Sequence, residues 1–326
     1  MYKKLFLFSA VLILALFVCN TASAASHTVV WQDQRDGAST SHIYYSNPAA
    51  GKGGRVTSAN SYQISPSISG NTVVWQDNRD GIKYHIYYKN LATGKGGRLS
   101  NTDSNQLNPC ISGNIIVWQD DRDGGNRIYY RNLAAGTGGR LISTESEQAY
   151  PSISGNMVVW CDIRNGVSNY HIYYKNLSTG MGGRLSNTDS QQIYPSISGS
   201  NIVWTDNRDG KFHLYYRNLA AGTGGRVSGT DSNQWYPIIS GNIVVWMDDR
   251  DGSNYHIYYK NLSTGKFGRV SLTDANQYNP KISGNTVVWS DNRSVTNYQI
   301  YSKNISTGTF TKVSTKNSYQ WEPAIN

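Results

Sequence analysis

The stretch Ile68-Ser69-Gly70-Asn71-Thr72-Val73-Val74-Trp75-Gln76-Asp77-Asn78-Arg79-Asp80-Gly81 decides the fold, because it recurs along the whole chain. Its Gly70-Asn71 pair is a tight-turn signal, and the run from Thr72 to Asp77 is rich in residues that favour strands. A tryptophan marks each copy at intervals of 42 to 44 residues: Trp31, Trp75, Trp118, Trp160, Trp204, Trp246 and Trp289. The chain is therefore predicted to be an array of seven similar units.

Each unit divides into four short segments that read as strands. In the second unit these are Pro66–Ser69, Thr72–Asp77, His85–Lys89 and a segment around Arg98–Ser100. A period of about 43 residues with four antiparallel strands in each repeat is typical of a β-propeller blade. The predicted fold is all-β, a seven-bladed β-propeller.

The two ends of the chain predict how the ring closes. The segment His27–Trp31 already matches a second strand, so the first unit lacks its own innermost strand. The segment Gln320–Asn326 matches the missing piece. We expect the C-terminal strand to complete the N-terminal blade, since closure pairs backbone groups that an open array leaves at exposed edges. Each repeated tryptophan should then lie between neighbouring blades.

Composition excludes several classes of protein. The 326 residues are 38% hydrophobic and 12% aromatic, which is enough for a core and excludes a disordered chain. The 32 glycines and 8 prolines leave few windows for long helices. The net charge of +9 is spread along the chain without a basic block, which argues against nucleic acid as a partner.

The N-terminus predicts export. Lys3 and Lys4 precede the apolar run Leu5–Val18, and Ala22 and Ala24 have the spacing of a cleavage site. We expect residues 1–24 to be a signal peptide and residues 25–326 to form one propeller domain, secreted or at the cell surface or envelope, with no membrane span. Lipidation at Cys19 is an alternative, although bulky Val18 precedes it where a small residue is preferred.

Only Cys110 and Cys161 remain after the predicted cleavage. Exported domains that depend on disulfides are rich in cysteine, so stability is expected to come from packing. One Cys110–Cys161 bridge and two buried thiols both remain possible.

The segment from Val74 to Gly81, followed by Ile86-Tyr87, resembles the TolB-type propeller repeat, a relative of WD40 repeats. Five units keep Arg-Asp-Gly, whereas the fourth has Arg164-Asn165-Gly166 and the seventh has Arg293-Ser294-Val295. The resemblance covers residues 27–326 and implies a propeller. Such propellers serve mostly as binding platforms and also occur in enzymes. Similar repeats are found in secreted and cell-surface proteins of archaea. TolB itself has six blades and a further N-terminal domain, so its envelope partners are not carried over.

The repeated polar residues are interpreted as structural. In the Asp-x-Arg-Asp-Gly turns, the arginine stands where a Ca²⁺ loop needs an oxygen ligand, so Asp77 and Arg79 are expected to staple the turn by hydrogen bonds. Five histidines share one register in the third strand, but side chains of neighbouring blades lie too far apart to share one metal ion. No metal site and no cofactor are expected. The histidines in question are His42, His85, His171, His213 and His256.

Catalysis has no candidate residues in the sequence. A nucleophile with its base should occur once and break the repeat, whereas the serines of Ile-Ser-Gly recur in blade after blade. Almost every aspartate also belongs to the repeat, which leaves no pair of carboxylates for glycoside chemistry. We expect a non-catalytic protein. An exported lyase or hydrolase is the alternative, and it would require acid, base or metal groups that converge in the channel.

The residues that break the repeat stand just before the inner-strand prolines, where they should ring the mouth of the central channel. Aromatic rings there suit a sugar or a peptide side chain, and one acid is present. The simpler alternative, which the pattern favours, is that they pack against adjacent loops. We expect a monomeric binding protein that recognises protein or glycan, with a lectin-like propeller carrying repeated sites as another possibility. The candidate ligand-binding residues are Tyr150, Tyr194, Trp235, Tyr236, Trp321 and Glu322.

Overall fold

The computed structural model describes residues 27–37, 39–164, 169–252, 254–293, 297–314 and 316–326. The predicted signal peptide and Cys19 lie outside these residues. The described chain forms seven four-stranded antiparallel sheets, and its only helix is one 3₁₀ turn, Pro48–Ala50. The all-β, seven-bladed fold expected from the repeat is confirmed.

The four strands of each blade run from the central axis outward. Blade 1 contains β28 (Gln320–Ile325), β1 (Val29–Asp33), β2 (His42–Asn47) and β3 (Lys52–Arg55). Blade 2 contains β4 (Gln63–Ser69), β5 (Thr72–Asp77), β6 (His85–Asn90) and β7 (Gly96–Arg98). Blade 3 contains β8 (Gln106–Ser112), β9 (Ile115–Asp120), β10 (Arg127–Asn132) and β11 (Gly138–Arg140). Blade 4 contains β12 (Gln148–Ser154), β13 (Met157–Asp162), β14 (His171–Asn176) and β15 (Gly182–Arg184).

The remaining three blades follow the same order. Blade 5 contains β16 (Gln192–Ser198), β17 (Asn201–Asp206), β18 (His213–Asn218) and β19 (Gly224–Arg226). Blade 6 contains β20 (Gln234–Ser240), β21 (Ile243–Asp248), β22 (His256–Asn261) and β23 (Phe267–Arg269). Blade 7 contains β24 (Gln277–Ser283), β25 (Thr286–Asp291), β26 (Gln299–Asn304) and β27 (Phe310–Lys312).

The C-terminal strand closes the ring, as the sequence predicted. β28 pairs antiparallel with β1, and Val29 lies opposite Ile325. The side chain of Asn326 adds a link, because its Oδ1 accepts the backbone N–H of Thr28 at 2.8 Å. The backbone groups of β1 that face the axis are therefore paired.

The inner strands begin three residues earlier than expected. In blade 2 the strand starts at Gln63 rather than Pro66, and a bulge places one extra residue between Ile64 and Ser67. Proline has no backbone N–H to donate to the hydrogen-bond ladder between strands. It is tolerated here because the bulge already interrupts that ladder. The outer strand also lies two residues earlier than expected, at Gly96–Arg98.

The seven repeated tryptophans are buried between blades. Trp75 is 2% exposed and packs with Val73 of its own blade and with Val30 and Ile43 of blade 1. The other six tryptophans of the series are 0–3% exposed. The contact between adjacent sheets is therefore largely a contact of these rings with aliphatic side chains.

The repeated turn after the second strand of each blade is a hydrogen-bonded cluster around an aspartate. In blade 2, Asp77 accepts hydrogen bonds from Trp75 Nε1 at 3.0 Å, from the Arg79 backbone N–H at 2.9 Å and from the Arg79 guanidinium. That guanidinium also lies 4.1 Å above the Tyr87 ring. Burial alone would raise the pKa of Asp77, but the hydrogen bonds from Arg79 and Trp75 outweigh it and hold the pKa below its usual 3.8. The repeated arginine is thus held inside its blade.

The same cluster recurs in the other blades. The two departures from the Arg-Asp-Gly sequence, Asn165-Gly166 in the fourth unit and Ser294-Val295 in the seventh, lie outside the described residues. Arg164 and Arg293 themselves are bonded to Asp162 and Asp291.

A buried glutamine links each blade to the one before it. Gln106 opens the inner strand of blade 3, and its Oε1 accepts the backbone N–H of Ile86 in blade 2 at 3.0 Å. Its Nε2 donates to Asp120 in its own blade at 2.9 Å. One glutamine per blade stands three residues before the inner-strand proline and is 0% exposed: Gln63, Gln106, Gln148, Gln192, Gln234, Gln277 and Gln320. This link was not recognised in the sequence, although its fixed spacing was visible.

The two cysteines of the propeller are free thiols. Cys161 is buried in the core, and Cys110 lies on an inner strand with its Sγ 3.2 Å from the Pro151 carbonyl oxygen. Within the described residues, none of the helical structure has the length and hydropathy to cross a membrane.

Candidate ligand site at the channel mouth

The inner strands of all seven blades surround a central cavity of about 460 Å³. One end of it, here named the upper face, carries the turns after the second strands, such as residues 78–84, and the connections between blades, such as residues 99–105. Each inner strand begins at the upper face, because its first residue pairs with the last residue of the second strand, as Gln63 pairs with Asp77. Residues near the start of each inner strand therefore lie towards this face.

The bulge before each proline positions one side chain in the cavity wall. Seven residues, here named the mouth ring, have left-handed backbone conformations with φ between 47° and 55°. This conformation favours glycine, yet no glycine stands at any of the seven positions. The backbone is repeated and the side chain is not, which is the pattern expected where a scaffold presents a variable surface. The mouth ring consists of Ser65, Asn108, Tyr150, Tyr194, Tyr236, Asn279 and Glu322.

Three tyrosines of consecutive blades form one continuous aromatic wall in the mouth ring. The ring centroids of Tyr150 and Tyr194 are 4.7 Å apart, and those of Tyr194 and Tyr236 are 4.2 Å apart. The Tyr236 hydroxyl lies 3.2 Å from that of Tyr194. Burial and the hydrogen bond with Tyr236 raise the pKa of Tyr194 above its usual value of 10. Tyr150 and Tyr236 remain 37% and 41% exposed, which leaves ring surface for a ligand.

Across the mouth ring from the tyrosine wall, Glu322, Ser65 and Asn108 are polar and already hydrogen-bonded. Glu322 Oε2 accepts from the backbone N–H of Ser65 at 3.0 Å and lies 3.1 Å from its hydroxyl. The backbone N–H of Asn108 donates to Gln76 Oε1 at 2.7 Å. The acid that the sequence singled out therefore bridges the C-terminal strand to blade 2.

A second ring lies two residues further along each inner strand. It contains the only basic side chain among the described residues that line the cavity, that of Lys281. Cys110 belongs to the same ring, and burial raises the pKa of its thiol. The second ring consists of Ser67, Cys110, Ser152, Ser196, Ile238, Lys281 and Ala324.

The structure brings four of the six predicted ligand-binding residues together and separates the other two. Tyr150, Tyr194, Tyr236 and Glu322 line the cavity, whereas Trp235 and Trp321 are not among its lining residues. The bulge explains the difference, because the extra residue changes which of the two residues before each inner-strand proline faces the axis.

The two tryptophans pack between blades on the upper face. Trp235 lies 4.3 Å, centroid to centroid, from Phe212 of the preceding blade. Trp321 makes an edge contact with Tyr298 at 4.5 Å and stacks on Tyr319 at 5.9 Å. The surroundings of these two tryptophans match the simpler alternative, in which residues before the inner-strand prolines pack against adjacent loops.

Lys281 was not singled out from the sequence, and Asn279 was one of the variable residues expected at the channel mouth but not one of the six candidates. The signal was present, because the residue after each inner-strand proline varies and lysine occurs there once. Without knowledge of the bulge, the side of the strand that this residue occupies could not be assigned.

The repeated histidines lie outside the cavity and are buried. His85 is 2% exposed, and its Nδ1 is 3.5 Å from Asp80 Oδ2. Burial, followed by the nearby Arg98 charge, lowers the pKa of His85 below its usual 6.5. Within the part of the chain that the structure describes, no three His, Cys, Asp or Glu side chains are grouped closely enough to hold a metal ion.

Comparisons with known proteins were informative only at the level of three-dimensional structure. No protein-family model matches the chain, and no curated protein sequence matches it. Solved structures similar to this propeller include TolB from Acinetobacter baumannii, with a TM-score of 0.57 and 17% identity. That match covers 92% of this chain and 66% of TolB, so this chain spans just under two thirds of that protein.

Two enzymes share the propeller at lower identity. A puromycin hydrolase matches with a TM-score of 0.68 and 11% identity over 89% of this chain and 52% of the hydrolase. An oligogalacturonate lyase in complex with manganese matches with a TM-score of 0.59 and 14% identity over 87% of this chain and 83% of the lyase. The resemblance to TolB-type repeats is thus confirmed at the level of the fold: the chain is a seven-bladed β-propeller that is similar in structure to TolB.

Proposed function

We propose that the protein is an exported, monomeric and non-catalytic binding protein that recognises a protein or glycan at the upper mouth of its channel. The observation that carries the proposal is the exposed wall of Tyr150, Tyr194 and Tyr236 in a cavity of about 460 Å³. Aromatic faces beside polar groups and a cavity of this size are typical of ligand sites.

The position of the wall favours one site over several equivalent ones. The tyrosines occupy three adjacent blades, and the other mouth-ring residues are Ser, Asn and Glu. A lectin with a site in every blade would instead present the same side chains seven times. The repeated arginines are held by Asp and Tyr within each blade, as with Arg79, and so have little freedom to contact a ligand.

Binding also accounts for the channel better than catalysis does. Among the described cavity-lining residues the only acid is Glu322, which is engaged by Ser65. The Cys110 thiol has a raised pKa, which opposes the thiolate form that a nucleophile needs. A lyase or hydrolase is the alternative, because enzymes of both kinds share this fold. Lyase and hydrolase assays with the purified protein test this alternative.

The test replaces the aromatic wall without disturbing the bulge. Asparagine already occupies the equivalent position in blades 3 and 7, so the triple variant Tyr150→Asn/Tyr194→Asn/Tyr236→Asn keeps a residue suited to positive φ. Glycan arrays and pull-downs from envelope extract should show ligands that bind the wild-type protein and are lost by the triple variant. The matched control is Tyr62→Asn, which removes a tyrosine that is 38% exposed and outside the cavity lining.

Ligands that the triple variant still binds, or that the Tyr62→Asn control loses equally, would contradict the proposed site. Export is tested separately by mass spectrometry of the secreted protein, which should begin at Ala25. A secreted chain that retains residues 1–24 would refute the predicted cleavage.

A further inference from the structure

The charges of the propeller are distributed unevenly between its two faces. The lower face, opposite the upper face, carries the turns between inner and second strands and the turns between third and outer strands. Both kinds of turn lie at the same end of the blade, because Thr72 pairs with Ser69 and with Asn90. These turns and the residues within two positions of them contain nine basic side chains and no acidic one. The nine are Lys52, Lys89, Lys95, Arg131, Lys175, Arg217, Lys260, Lys266 and Lys303.

All 21 acidic residues lie outside these turns. They stand at the upper ends of the second strands, as Asp77 does, in the upper loops, and in the mouth ring, as Glu322 does. There they are mixed with basic residues, and exposed pairs such as Lys83 and Asp103, 3.1 Å apart, join opposite charges. The propeller is therefore electrically polar, with uncompensated positive charge at its lower face.

The lower-face charges have no acidic partner among the described residues. Four of the nine donate Nζ to a backbone carbonyl of the preceding blade, as Lys89 does to Val56 at 2.7 Å. A carbonyl is a neutral acceptor, so it does not cancel their charge. The other five are exposed to solvent: Lys52, Lys95, Arg131, Arg217 and Lys266.

The arrangement of these charges favours a flat anionic partner. All seven blades contribute at least one of the nine, so the positive charge extends around the whole face. A planar surface can face all of them at once, whereas a linear polymer crosses only part of the ring. The large apolar side chains exposed at this face are, among the described residues, only Met181, Phe267 and Phe310. Charge, rather than insertion of apolar side chains, would dominate the contact.

The start of the described chain lies at the same face. The Nδ1 atom of His27 is 2.6 Å from the backbone oxygen of Asn326, and Val29 pairs with Ile325 at the lower end of blade 1. The predicted export segment is therefore joined to the propeller at the lower face. As long as the chain is connected to that segment, this is the face nearer to the membrane.

From these observations we propose that the lower face docks on an anionic lipid bilayer surface, with the channel mouth turned away from the membrane. The contact is electrostatic and reversible, and it leaves the mouth free for its ligand. The inference goes beyond the proposed function and does not depend on the tyrosine wall.

Cosedimentation with lipid vesicles tests the docking. At about 0.1 M salt, vesicles with about 30% phosphatidylglycerol should bind the purified protein at least about tenfold more tightly than vesicles of phosphatidylcholine alone. At about 1 M salt the preference should be lost, because the Debye length falls from about 10 to about 3 Å.

A triple variant removes three of the exposed lower-face charges. Lys52→Gln/Lys95→Gln/Lys266→Gln should weaken binding to the anionic vesicles by at least about tenfold, because each basic side chain near such a surface contributes about a fivefold factor. Thermal unfolding of the variant shows that the fold is retained.

The matched control removes the same net charge from the upper face. Lys83→Gln/Lys211→Gln/Lys316→Gln replaces three exposed lysines of the upper loops. A six-residue strand spans about 20 Å, about two Debye lengths at about 0.1 M salt, so this control should change vesicle binding by less than about twofold.

The orientation is measured with a fluorophore on a single cysteine. Met181→Cys places it in a lower turn and Ile82→Cys in an upper turn, where the native side chains are 72% and 95% exposed. Both are made with Cys110→Ser, since serine occupies the equivalent position in blades 2, 4 and 5. Anionic vesicles with spin-labelled headgroups should quench the fluorophore at position 181 and leave that at position 82 unquenched.

Four results would overturn the inference. They are equal binding to anionic and neutral vesicles, an equal loss in the two triple variants, quenching at position 82 as strong as at position 181, and tighter binding of soluble polyglutamate than of vesicles at equal total charge. The last result would point to an acidic polymer instead. The glycan arrays and pull-downs test the channel mouth separately, because neither triple lysine variant alters the tyrosine wall.

Discussion

Replacement of Trp204 by alanine tests the packing between blades. Trp204 is 3% exposed and packs with Val159 and Ile172 of blade 4 and with Ile202 of its own blade. Its Nε1 also donates to Asp206 Oδ2 at 3.1 Å. Burial of about 150–250 Å² at roughly 25 cal/mol per Å² gives about 4–6 kcal/mol as an upper value, because unfolded chains already bury part of this surface.

The expected loss in the free energy of unfolding is about 3–5 kcal/mol, the usual range when a large buried aromatic residue is replaced by alanine. In calorimetry this corresponds to a decrease of Tm on the order of 10 °C. The control is Trp235→Ala, which removes a half-buried ring outside the repeated series and should cost less than half as much. A loss below about 1 kcal/mol for Trp204→Ala, in urea melts followed by both fluorescence and circular dichroism, would refute the role assigned to this series.

Two further predictions concern the polar links. Gln192→Ala removes the acceptor for the backbone N–H of Ile172 and a donor to Asp206, so it should cost about 2–3 kcal/mol in urea melts; a cost under about 0.5 kcal/mol would contradict the link between blades. Burial lowers the pKa of the five third-strand histidines, so the unfolded chain takes up protons first and stability should fall as the pH drops below about 6.5. Replacing these histidines by glutamine, which stands at the equivalent position 299 in blade 7, should flatten the dependence of Tm on pH between 7 and 5. An unchanged slope would contradict the assignment of this pH dependence to the histidines.

The repeat predicted the fold closely because its period, its turn residues and its two incomplete ends all point to the same ring. The second strand of blade 2 was placed correctly from Thr72 to Asp77, since a run of β-branched residues between Gly-Asn and Asp-Gly turns has few alternatives. The start of the inner strand at Gln63 was missed, because proline was taken as the beginning of the strand rather than as part of a bulge.

The same bulge limited what could be predicted about the candidate site. The sequence identified the variable pairs of residues before each proline, but not which member of each pair faces the axis. One additional residue in the strand changes that assignment, so Trp235 was placed in the channel together with Tyr236. Lys281 escaped notice for the same reason, since its side of the strand depends on the bulge.

The closure of the ring is tested most directly by removing residues 319–326 and measuring thermal unfolding. The deletion takes away all of β28, including buried Gln320 and Ala324, and leaves the inner edge of β1 unpaired. The account predicts that Tm falls by at least about 10 °C, as for the loss of several kcal/mol. An unchanged Tm would show that blade 1 does not depend on the C-terminal strand and would contradict the closed propeller.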